Sequence, residues 1–249
     1  MLFYSVIIIV VFVLSGLLSM AGLGAAFLFV PLFYYMGVSL PEATSTALLL
    51  NVVSLSFATV NYWRGRLINF RIGLPVMITA VALAPFGARL TAVVDKHLLL
   101  ALFAAFLVFA GAMMLFYRPR KREKERGRTT EVTVGAGVGG VAGFLGGLLG
   151  VGGGNFIVPV LNWFGLDAKI AAATTAFAVV FASLSGFLAH ATVGSLNPTF
   201  VAVSAVAAAA GSIAGSHLVR TKLSSASIKM TTGVLLWVIA AKMIFDLVK

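Results

Sequence analysis

Gly150-Val151-Gly152-Gly153-Gly154-Asn155-Phe156-Ile157-Val158-Pro159 lies within an uncharged run covering residues 132–166. That run is nearly twice the roughly 20 residues that one membrane crossing needs. Consecutive glycines weaken a helix by about 1 kcal/mol each relative to alanine. Gly152, Gly153 and Gly154 therefore read as a break, with a half-helix restarting near Asn155. A second stretch echoes the first: Ala21-Gly22-Leu23-Gly24-Ala25-Ala26-Phe27-Leu28-Phe29-Val30-Pro31, inside the uncharged residues 1–41. Identities fall at an offset of 128 (Gly22/Gly150, Gly24/Gly152, Val30/Val158, Pro31/Pro159, Gly37/Gly165). One residue is then gained, and at 129 come Ala43/Ala172, Thr46/Thr175, Ala47/Ala176, Ser54/Ser183 and Leu107/Leu236. The chain thus reads as a duplication, with one transmembrane repeat at 1–117, a basic linker at 118–131 and a second repeat at 132–249.

Composition sets the class. Of 249 residues, 61% are hydrophobic and 10% charged, with a mean hydropathy of +1.08, against about 25% charged in soluble domains. A soluble globular domain and a disordered chain are both excluded. Cys is absent, which removes thiol catalysis, thiolate metal sites and disulfides. Residues 1–30 lack a basic start and their apolar run is too long for a cleaved signal peptide. The expected fold is an all-α polytopic membrane protein of two homologous repeats, each with about four hydrophobic segments and each opening with a Gly-broken or re-entrant helix. Lys and Arg number 18 against 7 acids, but they sit in loops rather than on one face, so no nucleic-acid partner is expected.

Internal duplication is a common build of secondary transporters. If the opening segment crosses once, the repeats are parallel; if it folds back as a re-entrant hairpin, they are inverted. With Arg118, Arg120, Lys121, Arg122, Lys124, Arg126 and Arg128 placed in the cytoplasm by the positive-inside rule, the inverted arrangement puts 14 basic residues inside and 4 outside. The parallel one gives 12 and 6. The count favours inversion, in the cytoplasmic membrane, with the linker facing the cytoplasm.

The acids Glu42, Asp95, Glu123, Glu125, Glu131 and Asp167 lie at segment ends or in the linker, and Asp246 follows Lys242 by one helical turn on the last segment. Intramembrane aspartyl chemistry, a carboxylate metal site and an acidic cation pathway all need carboxylates inside the span. What the apolar segments hold instead is glycine and neutral polar groups. A break frees N–H groups that must face protein, water or ligand, and a restarting half-helix favours an anion there. The candidate substrate-binding residues are accordingly Gly22, Gly24, Gly150, Gly152, Gly153, Gly154 and Asn155 at the breaks. Thr46, Asn51, Thr175 and Ser183 join them from the helix after each break. The break at 22–25 is expected to face the one at 150–154, and a side chain at Gly153 to block the anion while leaving folding intact. Gly135, Gly139, Gly143 and Gly147 read as helix packing. His97, His190 and His217 flank segment ends and read as interfacial. Ser212 or Ser216 with His217 lacks a third group to orient a base. No catalytic constellation, metal site or cofactor motif is present, and an enzyme is not expected.

The paired Gly-x-Gly and Val-Pro stretches, the fuller second copy and the basic central loop resemble the sulfite exporter TauE/SafE family of membrane permeases. The first copy departs by carrying Ala25 and Ala26 where the second has Gly153 and Gly154. The resemblance implies transport of sulfite, a sulfonate or a related small sulfur or organic anion. The residues themselves support only a small anion, and the leading mechanism is alternating access at a midplane site between the repeats. An anion channel and an intramembrane enzyme are the alternatives, and the missing catalytic constellation weighs against the second. The expected partners are the anion and the lipid bilayer, with a homodimer left open.

Overall fold

The computed structural model describes residues 2–90, 96–116, 127–190 and 197–248. These form ten α-helices: α1 (Leu2–Ala21), α2 (Ala26–Tyr35), α3 (Leu40–Arg64), α4 (Phe70–Leu90), α5 (Lys96–Phe116), α6 (Arg128–Leu149), α7 (Gly154–Trp163), α8 (Ala168–His190), α9 (Pro198–Thr221) and α10 (Ser225–Val248). Six of them, α3, α4, α6, α8, α9 and α10, are long and apolar enough to cross a membrane. The chain is a multi-pass helical membrane protein. Most of the linker, and the Gly194-Ser195-Leu196 part of the interruption before α9, lie outside the described residues. Arg128 to Glu131 form the first turn of α6.

Local chemistry sets the helix ends. Asn197 caps α9 by accepting the Phe200 N–H at 3.1 Å, and Pro198 follows at the first helical position, where its missing N–H costs nothing. Gly22 and Gly150 end α1 and α6 in the left-handed region, at φ 70° and 67°. In both, the next residue's N–H reaches back to close the turn, Leu23 to the Leu18 carbonyl at 3.1 Å and Val151 to that of Gly146 at 2.9 Å. This closure consumes the last carbonyls of each helix and reverses the chain.

Contacts fix the helix directions. Gly135, Gly139, Gly143 and Gly147 of α6 press in order on Ile72, Val76, Ala80 and Ala84 of α4, so these helices run parallel with almost no side chain between them. Gly211 and Gly215 of α9 meet Phe12 and Gly16 of α1 in the same manner. Ser54 meets Ser212 and Gly65 meets the Arg220 side chain, which makes α3 parallel to α9. Gly73 lies on Thr174 and Ser185 donates to the Val81 carbonyl, which makes α4 parallel to α8. The two sets oppose each other, because Asn51 meets Ser183 while Leu48 meets Gly186 across the α3/α8 contact. Along the flank α5 and α10 also run antiparallel, with Trp237 donating to the Val108 carbonyl at 3.1 Å and Gly233 lying on Leu115.

One end of the bundle therefore gathers the C-termini of α3 and α9 with the N-termini of α4, α6, α8 and α10. It carries Arg64, Arg66, Arg71, Arg128, Lys169, Arg220, Lys222 and Lys229, whereas the other carries Arg89, Lys96 and Lys242. At the second end the Asn197 N–H donates to Glu42 at 3.0 Å, joining the starts of α3 and α9. Outward residues such as Trp63, Ile78, Phe86, Leu188 and Val206 are apolar and exposed, as lipid contact requires, while serine, threonine and asparagine lie inside.

Candidate functional site

Both breaks point into the interface between α3 and α8. Gly24 and Ala25 lie against Asn51, near the middle of α3. Because α2 must lead from there to Leu40, it retraces the first half of α3. In the second half, a Cβ on Gly146 would lie 2.5 Å from the Gly153 nitrogen and one on Gly153 2.5 Å from the Ala142 carbonyl oxygen. The chain thus doubles back over the last two turns of α6 before α7 begins. Gly154 abuts the Leu23 carbonyl, so the two breaks touch each other.

Asn51 is the hub. Its Oδ1 accepts the Ala25 N–H at 2.9 Å and its Nδ2 donates to Ser183 Oγ at 2.8 Å. The carboxamide thereby caps the start of α2 and ties it to α8. Gly152 sits on the same pair, since a Cβ there would fall 2.5 Å from Ser183 Oγ and 2.8 Å from Asn51 Nδ2. Of the expected residues, Gly24, Asn51, Gly152, Gly154 and Ser183 are thus assembled in one place. Gly22 lies against Ala172 and Gly150 against Thr44, beside the opening turns of α8 and α3 respectively. Thr46 and Thr175 are fully buried, and their hydroxyls have no hydrogen-bond partner. The serine nearest the first break belongs to a packing cluster instead. Ser19 bonds Ser212 at 2.9 Å and Ser54 at 3.1 Å, and its carbonyl accepts from Tyr62 Oη at 2.6 Å, where α1, α3 and α9 meet.

The two breaks differ. At an offset of 129 from Asn51 stands Val180 on α8, and among the described residues no amide caps α7. Among the described residues no group accepts from the N–H of Gly152, Gly153, Gly154 or Asn155. Asn155 itself is 1% exposed, and neither its Oδ1 nor its Nδ2 has a partner. Buried polar groups are ordinarily paired, whereas these four main-chain donors and this whole amide have no partner among the described residues. No charged side chain is hydrogen-bonded to any of them, and among the described residues no group of acids and histidines could hold a metal. Beside Gly152 a crevice lined by Leu48, Gly143, Gly147, Ala182 and Gly186 is too narrow for a water molecule.

Gly153 corrects one expectation. Its φ of 78° and the Ala142 carbonyl behind it mean that a side chain there strains and displaces the backbone, so folding would not be spared. The carbonyls of Leu23 and Ala142 that shape the breaks leave no signal in residue type and could not be read from the sequence.

These features define a class: a polytopic helical membrane protein whose interior holds paired chain breaks rather than catalytic groups. The model of the family described as Sulfite exporter TauE/SafE matches residues 7–243, and the chain belongs to this family of membrane transporters, which are not enzymes. It is 25% identical to the probable membrane transporter protein YunE of Bacillus subtilis (strain 168), with 97% of each chain covered. It is also 25% identical to the probable membrane transporter protein YjnA of the same organism, with 86% of this chain and 89% of the relative covered. A probable membrane transporter protein of Haemophilus influenzae is 25% identical over 74% of this chain and 73% of its own. No solved structure matches.

Proposed function

We propose that this protein is a secondary transporter moving a small anion, such as sulfite, a sulfonate or a related sulfur or organic anion, across the cytoplasmic membrane by alternating access. The observation that carries the reading is the uncapped second break. The N–H groups of Gly152 to Asn155 and the Asn155 amide are buried without acceptors, at a helix N-terminus and away from any carboxylate. In a medium without water such donors need a partner, and an oxyanion supplies several acceptors at once. Family membership contributes the sulfur chemistry.

Helix pairing supports an inverted duplication. Equivalent helices meet antiparallel, α3 with α8 and α5 with α10, as a two-fold axis lying in the membrane plane requires. The contacts between repeats are exchanged in kind, α1 on α9 and α6 on α4. In this reading α1 enters and α2 leaves at one end, and α6 and α7 do so at the other, as re-entrant hairpins. The basic end faces the cytoplasm. The tight crevice beside Gly152 suits a carrier with an occluded stage more than an open pore.

The test is flux in proteoliposomes across a panel of sulfite, sulfonates, thiosulfate, sulfate and small carboxylates. Saturable uptake with counterflow of a preferred anion is expected. Linear flux without counterflow would identify an anion channel, and no flux of any anion would remove the transport reading.

A further inference from the structure

The basic end carries a feature that the transport reading does not use. A groove of about 640 Å³ opens between the first turns of α4 and α6, lined by Phe70, Arg71, Leu74, Pro75, Ile78, Arg128 and Val132. Its origin is local. From Gly135 onward the glycines of α6 press on α4, with Gly135 against the Ile72 carbonyl and the Pro75 ring. In the two turns before it, α6 bears Val132 and Arg128, whose side chains line the groove instead. Phe70, Leu74 and Ile78 follow one another at four-residue spacing and are 41%, 43% and 60% exposed, forming an apolar strip along the outside of α4. Arg71 and Arg128 stand at the top of this strip, each at a helix start, both exposed and neither paired with a carboxylate among the described residues. Glu131 shares the first turn of α6 but is not part of the groove lining, and its Oε2 is buried without a partner.

We propose that this groove holds one anionic phospholipid, its phosphate between Arg71 and Arg128 and an acyl chain lying along Leu74 and Ile78. Two guanidiniums, unpaired among the described residues, at the starts of spanning helices, with an exposed apolar strip running on from them, match the two ends of such a lipid. The proposal depends on the chain spanning the membrane and not on which substrate it carries.

Native mass spectrometry of the purified protein, in detergent containing equal amounts of phosphatidylglycerol and phosphatidylcholine, tests it. The unmodified protein should retain phosphatidylglycerol selectively. Arg71→Gln with Arg128→Gln should weaken retention roughly 30-fold, about fivefold for each charge removed. Arg64→Gln with Arg66→Gln, at the same end but outside the groove, should leave retention nearly unchanged. Equal losses in the two double variants would reduce the effect to general surface charge and overturn the site. Leu74→Trp, which fills the apolar strip and keeps both arginines, should also expel the lipid. Full retention in that variant, or displacement of the lipid by millimolar glycerol phosphate, would show that a phosphate alone is bound and would equally overturn the proposal.

Discussion

Asn155→Leu separates a ligand-binding amide from a structural one. Asn155 is buried to 1% exposure and both ends of its amide lack partners in the protein. An unsatisfied buried amide costs about 1–3 kcal/mol, and leucine has similar volume and no polar group to strand. The variant should therefore be as stable as the parent or more so, with Tm rising by roughly 2–4 °C for each kcal/mol recovered. Anion binding should move the other way. A hydrogen bond to a charged group contributes about 1.5–3 kcal/mol, which corresponds to roughly 10- to 150-fold weaker affinity. Thermal unfolding in detergent, followed by intrinsic tryptophan fluorescence, reads the first quantity. Concentration-dependent uptake of the preferred anion into proteoliposomes reads the second. Asn155→Asp adds a sharper control, because a resident carboxylate would occupy the N–H groups at the start of α7 and exclude the substrate without unfolding the helix. A fall in Tm together with unchanged uptake for Asn155→Leu would refute the reasoning, since the amide would then be holding the fold through contacts absent here.

Asn51 should behave in the opposite way. Asn51→Leu strands the Ala25 N–H and the Ser183 hydroxyl and should cost about 2–6 kcal/mol, lowering Tm steeply. A double-mutant cycle with Ser183→Ala should show coupling of about 0.5–3 kcal/mol, and strict additivity would contradict the bond at 2.8 Å. Gly143→Val should abolish membrane-inserted protein, because its Cβ would meet the Ala80 backbone. Gly137→Ala, with open space around it, should be neutral or gain up to about 1 kcal/mol; comparable yields of the two in membrane fractions would dismiss the glycine contact. The chain has no cysteine, so single probes are clean: Asp167→Cys should resist an impermeant thiol reagent from the periplasm while Arg89→Cys reacts, and the reverse pattern would invert the proposed orientation.

The breaks could be read in the sequence because glycine runs and missing charge are local signals of backbone cost and burial. The exact helix ends at Ala21 and Leu149, closed by Gly22 and Gly150 in the left-handed region, emerged only with the structure. Nothing in residue order shows that α6 settles on α4 instead of on a neighbour within its own repeat, since Gly135, Gly139, Gly143 and Gly147 accept any close helix. Asn51 could be flagged as a buried amide in need of partners, yet one partner is a main-chain N–H that exists only because the chain breaks at Gly24. The obstacle behind Gly153 was hidden for the same reason, being the carbonyl of Ala142. Asn155 was legible through its place beside the glycines, while the lack of any partner for it could emerge only from the packed interior.

The pairing of helices from the two halves of the chain bears on the proposed transport cycle. α9 is clamped to α1 and α3, and α4 to α6 and α8. Under the alternating access proposed above, the bodies that would swing against each other are α1, α2, α3 and α9 on one side and α4, α6, α7 and α8 on the other, with the antiparallel α3/α8 contact as the seam between them. Each set draws helices from both halves of the chain, so under the proposed duplication the boundary of motion would run through the duplicated units and not between them. The connections that such a motion would flex are the ones between α3 and α4 and between α8 and α9, where the chain passes from one set to the other. At the first of these Arg66 holds a left-handed conformation at φ 53°, strained for any residue but glycine. That backbone cost sits where the chain crosses from one set of helices to the other.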